Sequence, residues 1–326
     1  MRFLIKCICS SLRFLSLLIT LFILSIITFL IYIYQIEPQW IELKNIDLNL
    51  PKLSQEFEGW KIVQVSDIHI SEWMTEKRLE NIVNLINEQT PDIVVLTGDF
   101  FSDNITYSHR VNTGSISYLN KFSSIFQRVM NKIGFYKSKF VTRSFEDDKQ
   151  VLSKTLKKLK PRYKSFSVLG NHDYSTNVDL VQEGLNEANI INLKNEIYSI
   201  KNNNSIFNII GLDDILFGKD NLDLVLEKLP QTGVNILLVH EPDFAPQSAA
   251  TNRFDVQLSG HSHGGQITIP FFGAPFLPPY GEIYIDGFYK VKNMIQYTNR
   301  GVGMAYPYIR FNCRPEITIF TLHKPT

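Results

Sequence analysis

The chain has 326 residues, which is long enough for one large domain with additions to bury a substantial core. Its formal net charge of +1 argues against a polyanionic partner such as nucleic acid. The three cysteines, at positions 7, 9 and 313, are too few and too unevenly placed for a disulfide framework. The fold must therefore depend on its hydrophobic core, and metal binding through thiolates is not expected.

An uncharged apolar stretch, residues 14–34, lies close to the N-terminus. Its 21 residues would span roughly 31 Å as a helix, which matches the hydrocarbon core of a bilayer. The stretch is long for a signal peptide and no small-residue cleavage site follows it, so we expect a retained single-pass anchor. Arg2, Lys6 and Arg13 precede it, so the positive-inside rule predicts a cytoplasmic segment 1–13 and a domain 35–326 outside the cytoplasm.

Strand-like and helix-like segments alternate after the anchor. In chain order they are an edge strand at 39–50, a strand at 61–66, a helix at 75–89, strands at 93–96 and 164–169, a helix at 178–188, and strands at 207–210, 235–239 and 255–259. The helix at 75–89 carries Leu79, Ile82, Val83 and Ile86 at helical spacing. This alternation predicts an α/β sandwich or a doubly wound sheet that binds its ligands beyond the carboxyl ends of the strands.

Metal-ligand side chains follow most of these apolar runs. Five of the seven histidines do so, namely His69, His172, His240, His261 and His263, and a further run ends in Asp99. Residues two apart in an extended backbone point the same way, so the rings of His261 and His263 are expected to reach one site. Since strand ends meet at one edge of a sheet, we expect the whole set to converge.

The chemical types in this set are those of a dinuclear metal centre. The predicted ligands are Asp67, His69, Asp99, Asn171, His240, His261 and His263, and His172 is left over as an acid or a phosphate contact. Two metal ions about 3.5 to 4 Å apart neutralise phosphate oxygens and produce hydroxide from water. Carboxylate, carboxamide and imidazole ligands favour Mn, with Fe, Co or Zn as alternatives.

Residues 104–164 differ in character from the rest and are predicted to form a basic amphipathic insert. They contain fourteen lysines and arginines against three acidic residues. Helical spacing places Phe122, Phe126, Val129 and Ile133 at the centre of an apolar face flanked by basic side chains. Such a face suits either an interfacial helix that binds lipid or an ordinary helix packed on the domain. Without interleaved stacking residues or a recognised fold, the charge does not indicate nucleic-acid binding.

Five ordered blocks resemble the calcineurin-like metallophosphoesterases: Asp67-x-His69, Gly98-Asp99, Gly170-Asn171-His172-Asp173, His240, and Gly260-His261-x-His263. The resemblance implies a four-layer α/β/β/α sandwich with a dinuclear centre. It also implies that Asp67, His69 and His263 hold one metal, that Asn171, His240 and His261 hold the other, and that Asp99 bridges them. His172 would contact the scissile phosphate and protonate the leaving oxygen, with Asp173 orienting its ring.

Three further motifs resemble bacterial membrane-anchored phosphoesterases that include the chlamydial-type UDP-2,3-diacylglucosamine pyrophosphatase. They are His263-Gly264-Gly265-Gln266, Asn299-Arg300-Gly301 and the ending from Arg310 to Ile317. The resemblance implies an inner-membrane enzyme for a lipid or nucleotide-lipid substrate, with Arg300 among the substrate contacts. UDP-2,3-diacylglucosamine, cleaved to lipid X and UMP in lipid A biosynthesis, is the first candidate.

The predicted topology conflicts with this substrate, because UDP-linked lipid is cytoplasmic. The second hypothesis is therefore an extracytoplasmic phosphodiesterase that acts on envelope lipid or cell-wall polymer. A third is a metal-binding scaffold without catalysis, for which a missing ligand would be expected, and none is missing. The sequence does not indicate an oligomeric state.

Overall fold

The computed structural model describes residues 2–102 and 143–325. Its helices are α1 (Arg2–Ile31), α2 (Glu76–Glu88), α3 (Phe145–Leu156), α4 (Asn171–Ser175), α5 (Val178–Glu187), α6 (Leu222–Lys228) and α7 (Ala245–Ala250). Its strands are β1 (Glu42–Asn49), β2 (Lys61–Val65), β3 (Ile93–Thr97), β4 (Lys164–Val168), β5 (Ile191–Asn192), β6 (Glu196–Asn202), β7 (Ser205–Gly211), β8 (Val234–Leu238), β9 (Val256–Ser259), β10 (Gly287–Val291), β11 (Met294–Thr298) and β12 (Glu316–His323).

These strands form two six-stranded sheets. The first has the order β1-β12-β2-β3-β4-β5, and the second has the order β10-β11-β9-β8-β7-β6. Strands β2 to β5 are mutually parallel, as are β7, β8 and β9, because helices supply the crossover connections between them. The predicted edge strand is confirmed as β1, which pairs in parallel with β12 at the margin of the first sheet.

Three hydrophobic cores separate four layers. One core lies between the first sheet and α2, α3 and α5, and it buries the predicted helical face of Leu79, Ile82, Val83 and Ile86. A second lies between the two sheets and contains Phe166, Phe207 and Phe320. The third joins the outer face of the second sheet to α6 and α7. The four-layer α/β/β/α sandwich is therefore confirmed.

The C-terminal part of the predicted insert belongs to this sandwich. α3 begins with a capping box between Ser144 and Asp147 and buries Leu152 and Leu156 in the first core. Residues Phe145–Leu156 of the predicted insert thus complete the helical layer on the first sheet. The apolar face predicted at Phe122, Phe126, Val129 and Ile133 lies outside the described residues.

Ion pairs neutralise much of the basic charge between residues 143 and 164. The pairs are Arg143–Asp148 at 2.9 Å, Lys149–Glu146 at 2.7 Å, Lys154–Glu76 at 2.5 Å, Arg162–Asp92 at 2.6 Å, and Lys158–Glu80. Glu76 and Glu80 lie on α2, so part of this charge complements the neighbouring helix. Counting charges along the segment overstated its basic surface, since three of these five partners, Glu76, Glu80 and Asp92, lie outside the segment.

The N-terminal helix runs without a break from Arg2 to Ile31 and contains most of the predicted anchor. The stretch Cys9–Gln39 is long and apolar enough to span a membrane, with a mean hydropathy of 2.8 in its most apolar window. After α1 the chain continues through a π turn, Tyr32–Ile36, and a 3-10 turn, Glu37–Gln39, and reaches β1 three residues later. The domain is therefore joined directly to the end of the helix.

Side chains near the C-terminus hold this junction. Ile33 and Tyr34 are buried against Ile309, and the ring of Phe311 meets that of Phe29 edge to face at 5.3 Å. The Glu37 carboxylate accepts a hydrogen bond from the backbone N–H of residue 313 at 2.5 Å. These contacts fix the end of α1 on the same loops that approach the functional site.

Candidate active site

The predicted ligands meet where the carboxyl ends of the two sheets come together. Asp67 and His69 follow β2, Asp99 follows β3, and Asn171 begins α4 just after β4. His240 follows β8, and His261 and His263 follow β9. The carboxylates and imidazoles among them are all less than a tenth exposed, and Asp67 and His69 are fully buried. The packing of one sheet on the other is what joins ligands that are up to 196 residues apart in the chain.

Tight backbone turns aim these side chains inward. Asp67, His69, Asp99, His261 and His263 all have a positive φ, between 47° and 71°. Aspartate and histidine tolerate this region better than most residues, yet each such residue carries strain of about 1 to 3 kcal/mol. The clustering of strained residues at the strand ends is typical of a functional site, where surrounding packing maintains an unfavourable backbone.

Two glycines in the motifs are required by close approach. A Cβ at Gly170 would lie 2.4 Å from Asp99 Oδ1, and a Cβ at Gly260 would lie 1.8 Å from Ser66 Oγ. No larger residue fits at either position without moving the carboxylates beside it. The glycines therefore allow the loops of the two sheets to converge.

Four side chains form one ligand set: Asp67, His69, Asp99 and His263, whose ligand atoms all lie within 4.8 Å of one another. The Nε2 atoms of His69 and His263 are 3.0 Å apart. His263 Nε2 lies 3.4 Å from Asp67 Oδ1, and His69 Nε2 lies 3.5 Å from Asp99 Oδ2. Buried nitrogen and oxygen donors at such spacings fit a divalent cation.

A second set contains Asp99, His240 and His261. His240 Nε2 lies 3.2 Å from Asp99 Oδ2 and 3.2 Å from His261 Nδ1. Asp99 Oδ2 therefore faces a histidine of each set, which places a single carboxylate between two metal positions. Asp99 is thus common to both candidate ligand sets, and the bridging role that the family resemblance implied for it stays a prediction.

Backbone carbonyls determine which nitrogen of two histidines faces the site. His240 Nδ1 lies 2.6 Å from the carbonyl oxygen of Thr97, and His261 Nε2 lies 2.9 Å from that of Pro279. A carbonyl oxygen only accepts, so these nitrogens must carry the protons. Nε2 of His240 and Nδ1 of His261 are then the nitrogens that face the ligand sets. The pKa of His240 is raised well above its ordinary value, because the opposing effect of burial is outweighed by Asp99, so a metal ion would displace a proton from its Nε2.

The electrostatics of the cluster also fit cations. Burial and the neighbouring His240 lower the pKa of His261 to about 3, so its ring is neutral, as a metal ligand must be. Burial raises the pKa of Asp67 to about 6, against the opposing effect of His240. For Asp99, burial is outweighed by the charges of His240 and His172, which hold its pKa well below the ordinary value. A divalent cation would offset the burial of both carboxylates.

Asn171 contributes a buried oxygen in need of a partner. Within the described residues, its Oδ1 has no hydrogen-bond partner. An unpaired buried carboxamide oxygen is costly, and a metal ion would satisfy it. The residue lies directly before His172, whose backbone N–H donates to Asp99 Oδ1 at 2.9 Å. Asn171 is therefore suitably placed for the second ligand set.

His172 lies at the edge of the cluster and is less buried than the ligand histidines. Its ring meets that of His69 edge to face, with 4.8 Å between centroids. It is therefore beside the metal positions and open towards the solvent from which a substrate would arrive. That position suits a side chain that contacts a phosphate and exchanges a proton with it.

Asp173 supports the loops around the site. Its carboxylate accepts hydrogen bonds from the backbone N–H groups of Asp99, Phe100, Phe101 and Gly170, at 2.8 to 3.1 Å. It thereby ties the turn that carries Asp99 to the start of α4. This positioning role was not predicted, while the predicted orientation of the His172 ring remains an expectation.

We expect Asp173→Ala to lower the free energy of unfolding by about 3 kcal/mol or more, because it leaves several buried donors without an acceptor. Urea denaturation of the variant and the wild type measures the difference. Asp179→Ala is the matched control, since that exposed aspartate in the first turn of α5 should change stability by less than about 0.5 kcal/mol. Equal stability of both variants would contradict the positioning role.

Arg300, which was predicted to contact the substrate, makes two ion pairs within the fold. Its Nε donates to Glu316 at 2.7 Å and its Nη2 donates to Glu42 at 2.6 Å. The guanidinium is thus neutralised by two carboxylates and joins β1 to β12 across the sheet margin. These pairs give Arg300 a structural role, and its contact with the substrate stays a prediction.

Arg310 is a supporting residue that the sequence analysis did not single out. The side chain is fully buried, and its Nη2 donates to the carbonyl oxygens of Arg300, Gly301 and Gly303 at 2.7 to 3.2 Å. The backbone N–H of Gly303 in turn donates to the carbonyl oxygen of Asp67 at 2.8 Å. Arg310 therefore positions the loop beneath Asp67. The signal in the sequence was its place at the start of the motif from Arg310 to Ile317, which was noted without a role for Arg310.

Comparison with known proteins agrees with this geometry. Residues 61–265 match the calcineurin-like phosphoesterase family. The metallophosphoesterase YkuE of Bacillus subtilis is 32% identical over 293 residues, 89% of this chain and 88% of that protein. The phosphodiesterase YaeI of Escherichia coli is 28% identical, covering 89% and 92% of the two chains. The UDP-2,3-diacylglucosamine pyrophosphatase LpxG of Chlamydia muridarum is 25% identical, covering 90% and 93%.

The match spans the strand ends that carry the ligand sets, and the similarity to YkuE extends over nearly the whole domain. The family resemblance seen in the motif blocks is thereby confirmed. The chain belongs to the calcineurin-like phosphoesterase family and is a metal-dependent hydrolase of phosphoric esters.

Proposed function

We propose that this chain hydrolyses a phosphodiester or pyrophosphate bond of a membrane lipid at a centre of two divalent metal ions. The observation that carries the proposal is the junction between α1 and the domain. Phe311 and Ile309 pack on the end of an apolar helix. The same segment contacts the ligand-bearing turns, because Cys313 Sγ donates to the carbonyl oxygen of His263 at 3.2 Å. The centre is therefore held close to the surface of any bilayer that α1 spans.

The bound metals would supply Lewis-acid stabilisation of the phosphate oxygens and a water activated at neutral pH. Asp67, His69 and His263 would hold one ion, and Asn171, His240 and His261 the other, with Asp99 between them. His172, at the exposed edge, would give a proton to the leaving oxygen. Oxygen and imidazole donors favour Mn, and Fe, Co or Zn suit the same set.

UDP-2,3-diacylglucosamine is the first candidate substrate. The support is the similarity to LpxG of Chlamydia muridarum, a pyrophosphatase named for that lipid. The second candidate is a phosphodiester of envelope lipid or cell-wall polymer outside the cytoplasm. It is favoured by Arg2, Lys6 and Arg13 on the side of α1 away from the domain.

We expect the purified full-length chain, loaded with Mn²⁺ and placed in lipid nanodiscs, to release UMP from UDP-2,3-diacylglucosamine. Mass spectrometry of the nucleotide and the lipid product measures this directly, with phosphatidylglycerol as a competing lipid diester. A preparation of Asp99→Ala controls for contaminating phosphatases. Hydrolysis of phosphatidylglycerol without release of UMP would select the second candidate, and hydrolysis of neither lipid would contradict the proposal.

The side of the membrane on which the domain lies provides an independent test of which candidate substrate it can reach. From the basic residues before α1 we expect a reporter fused after Thr326 to be active only outside the cytoplasm. An alkaline phosphatase fusion reports an external position, and a green fluorescent protein fusion reports a cytoplasmic one. An external domain would exclude the UDP-linked lipid, whereas a cytoplasmic domain would contradict the charge rule and favour it.

A further inference from the structure

The loop that follows the paired histidines, residues 267–281, exposes large apolar side chains. We refer to it as the aromatic loop; it contains no charged residue and no histidine. Phe271 is 105% exposed, Phe272 87% and Phe276 58%, so three phenyl rings project into solvent. Monomeric soluble proteins rarely expose a contiguous group of large apolar side chains, and such a group marks an interaction surface.

The tip of the aromatic loop is held in a defined shape. Ile269 and Gly273 exchange backbone hydrogen bonds, each at 2.9 Å, which closes a tight turn around Phe271 and Phe272. Phe271 itself has a φ of 72°, a conformation that a bulky side chain adopts only where the surroundings impose it. The closed turn therefore presents the two rings outward. Four prolines further restrict the backbone of the loop.

The base of the aromatic loop is attached to the end of α1. Ile267 belongs to the apolar cluster formed with Leu30 and Ile33, and Thr268 N donates to the carbonyl oxygen of Phe311 at 2.8 Å. Phe311 in turn contacts Phe29, which lies five residues before the end of the apolar stretch, about 7.5 Å along the helix axis. The base of the loop therefore lies beside the last turns of the apolar stretch.

Both ends of the aromatic loop also touch the metal-ligand cluster. The chain passes directly from His263 into the loop, and the carbonyl oxygen of Pro279 accepts from His261 Nε2 at 2.9 Å. A Cβ at Gly265 would lie 2.2 Å from that of Ala274, so the loop packs closely on the turn after His263. The position of the loop and the position of the metal centre are consequently linked.

We propose that the aromatic loop inserts Phe271, Phe272 and Phe276 into the same bilayer that α1 spans, and so sets the height of the metal centre above the lipid surface. This inference rests on the proposed membrane anchoring and deepens the proposed action on lipid. A bilayer is the occupant because the loop is continuous with the anchor, is uncharged and presents rings rather than a groove. Phenyl rings beside an apolar helix are what interfacial insertion requires.

The direct test uses the full-length chain in phosphatidylcholine–phosphatidylglycerol vesicles. A polarity-sensitive fluorophore is attached at Phe272→Cys in a background of Cys7→Ser and Cys9→Ser, while Cys313 is retained because it is buried. The matched control carries the fluorophore at Phe288→Cys, an exposed phenylalanine (53%) on β10 outside the loop. We expect a blue-shifted emission that spin-labelled lipids quench several-fold more strongly at position 272 than at position 288.

A label at position 272 that is quenched no more than the control overturns the proposal. A blue shift without quenching by the lipids overturns it as well, because another protein surface would then cover the loop. Quenching together with no lipid hydrolysis supports docking and contradicts the proposed lipid substrate. The two proposals can thus fail separately.

The kinetic test combines Phe271→Ser, Phe272→Ser and Phe276→Ser. We expect the ratio of vesicle-lipid hydrolysis to hydrolysis of a small soluble phosphodiester to fall about tenfold, since the centre loses its fixed height at the lipid surface. Phe288→Ser should leave that ratio as in the wild type. Loss of both activities in equal proportion in the triple variant would count against docking.

Discussion

Replacing Asp99 with alanine is expected to abolish phosphodiester hydrolysis and to remove both metal ions. Asp99 Oδ2 lies 3.5 Å from His69 Nε2 and 3.2 Å from His240 Nε2, so one carboxylate serves both ligand sets. Metal ions contribute several kcal/mol to the stabilisation of such transition states, and about 4 kcal/mol corresponds to a rate loss of about 10³. We expect the loss to be at least that large.

Metal content by mass spectrometry and turnover of a chromogenic phosphodiester measure the two effects on one preparation. Asp92→Ala is the matched control, because Asp92 lies at the other end of the same strand. Its carboxylate accepts from the Lys61 N–H at 2.7 Å and pairs with Arg162 at 2.6 Å. That control should lose stability and keep both metals. Two bound ions and a normal rate in Asp99→Ala would refute the shared-ligand assignment.

Replacing His172 with alanine is expected to slow hydrolysis by about 10² to 10⁴, the range typical of a lost general acid or base. The metal content should stay near that of the wild type, because the backbone N–H of residue 172 still donates to Asp99 after the substitution. The effect should be smaller on a substrate with a good leaving group, which needs little protonation.

Comparing a nitrophenyl diester with an alkyl diester separates the possible roles of His172. A larger loss on the alkyl substrate supports proton transfer to the leaving oxygen, whereas equal losses indicate phosphate binding. His240→Ala provides the contrast, because this residue belongs to a ligand set and its removal should reduce the metal content. Loss of metal in His172→Ala would move that residue into the ligand sets.

The sequence by itself determined the elements and the chemical types. Apolar runs that end in a polar residue indicated the strand ends, and the spacing of Leu79, Ile82, Val83 and Ile86 indicated α2, because backbone geometry within a few residues decides both patterns. The ordered motif blocks then indicated the calcineurin-like phosphoesterase family. The length of the uncharged stretch likewise sufficed to predict a helix that is long enough to cross a membrane.

Only the tertiary structure decided how distant side chains combine. The position of Asp99 between His69 and His240, and the carbonyl of Pro279 that orients His261, depend on how the two sheets meet. The pairing of Arg300 with Glu42, 258 residues away, showed a role in the fold that the motif around Arg300 did not indicate. The base of the aromatic loop packs against the end of α1, and this contact is the reason to expect that the exposed rings reach the bilayer. Such partners are set by packing across the core, and no local pattern encodes them.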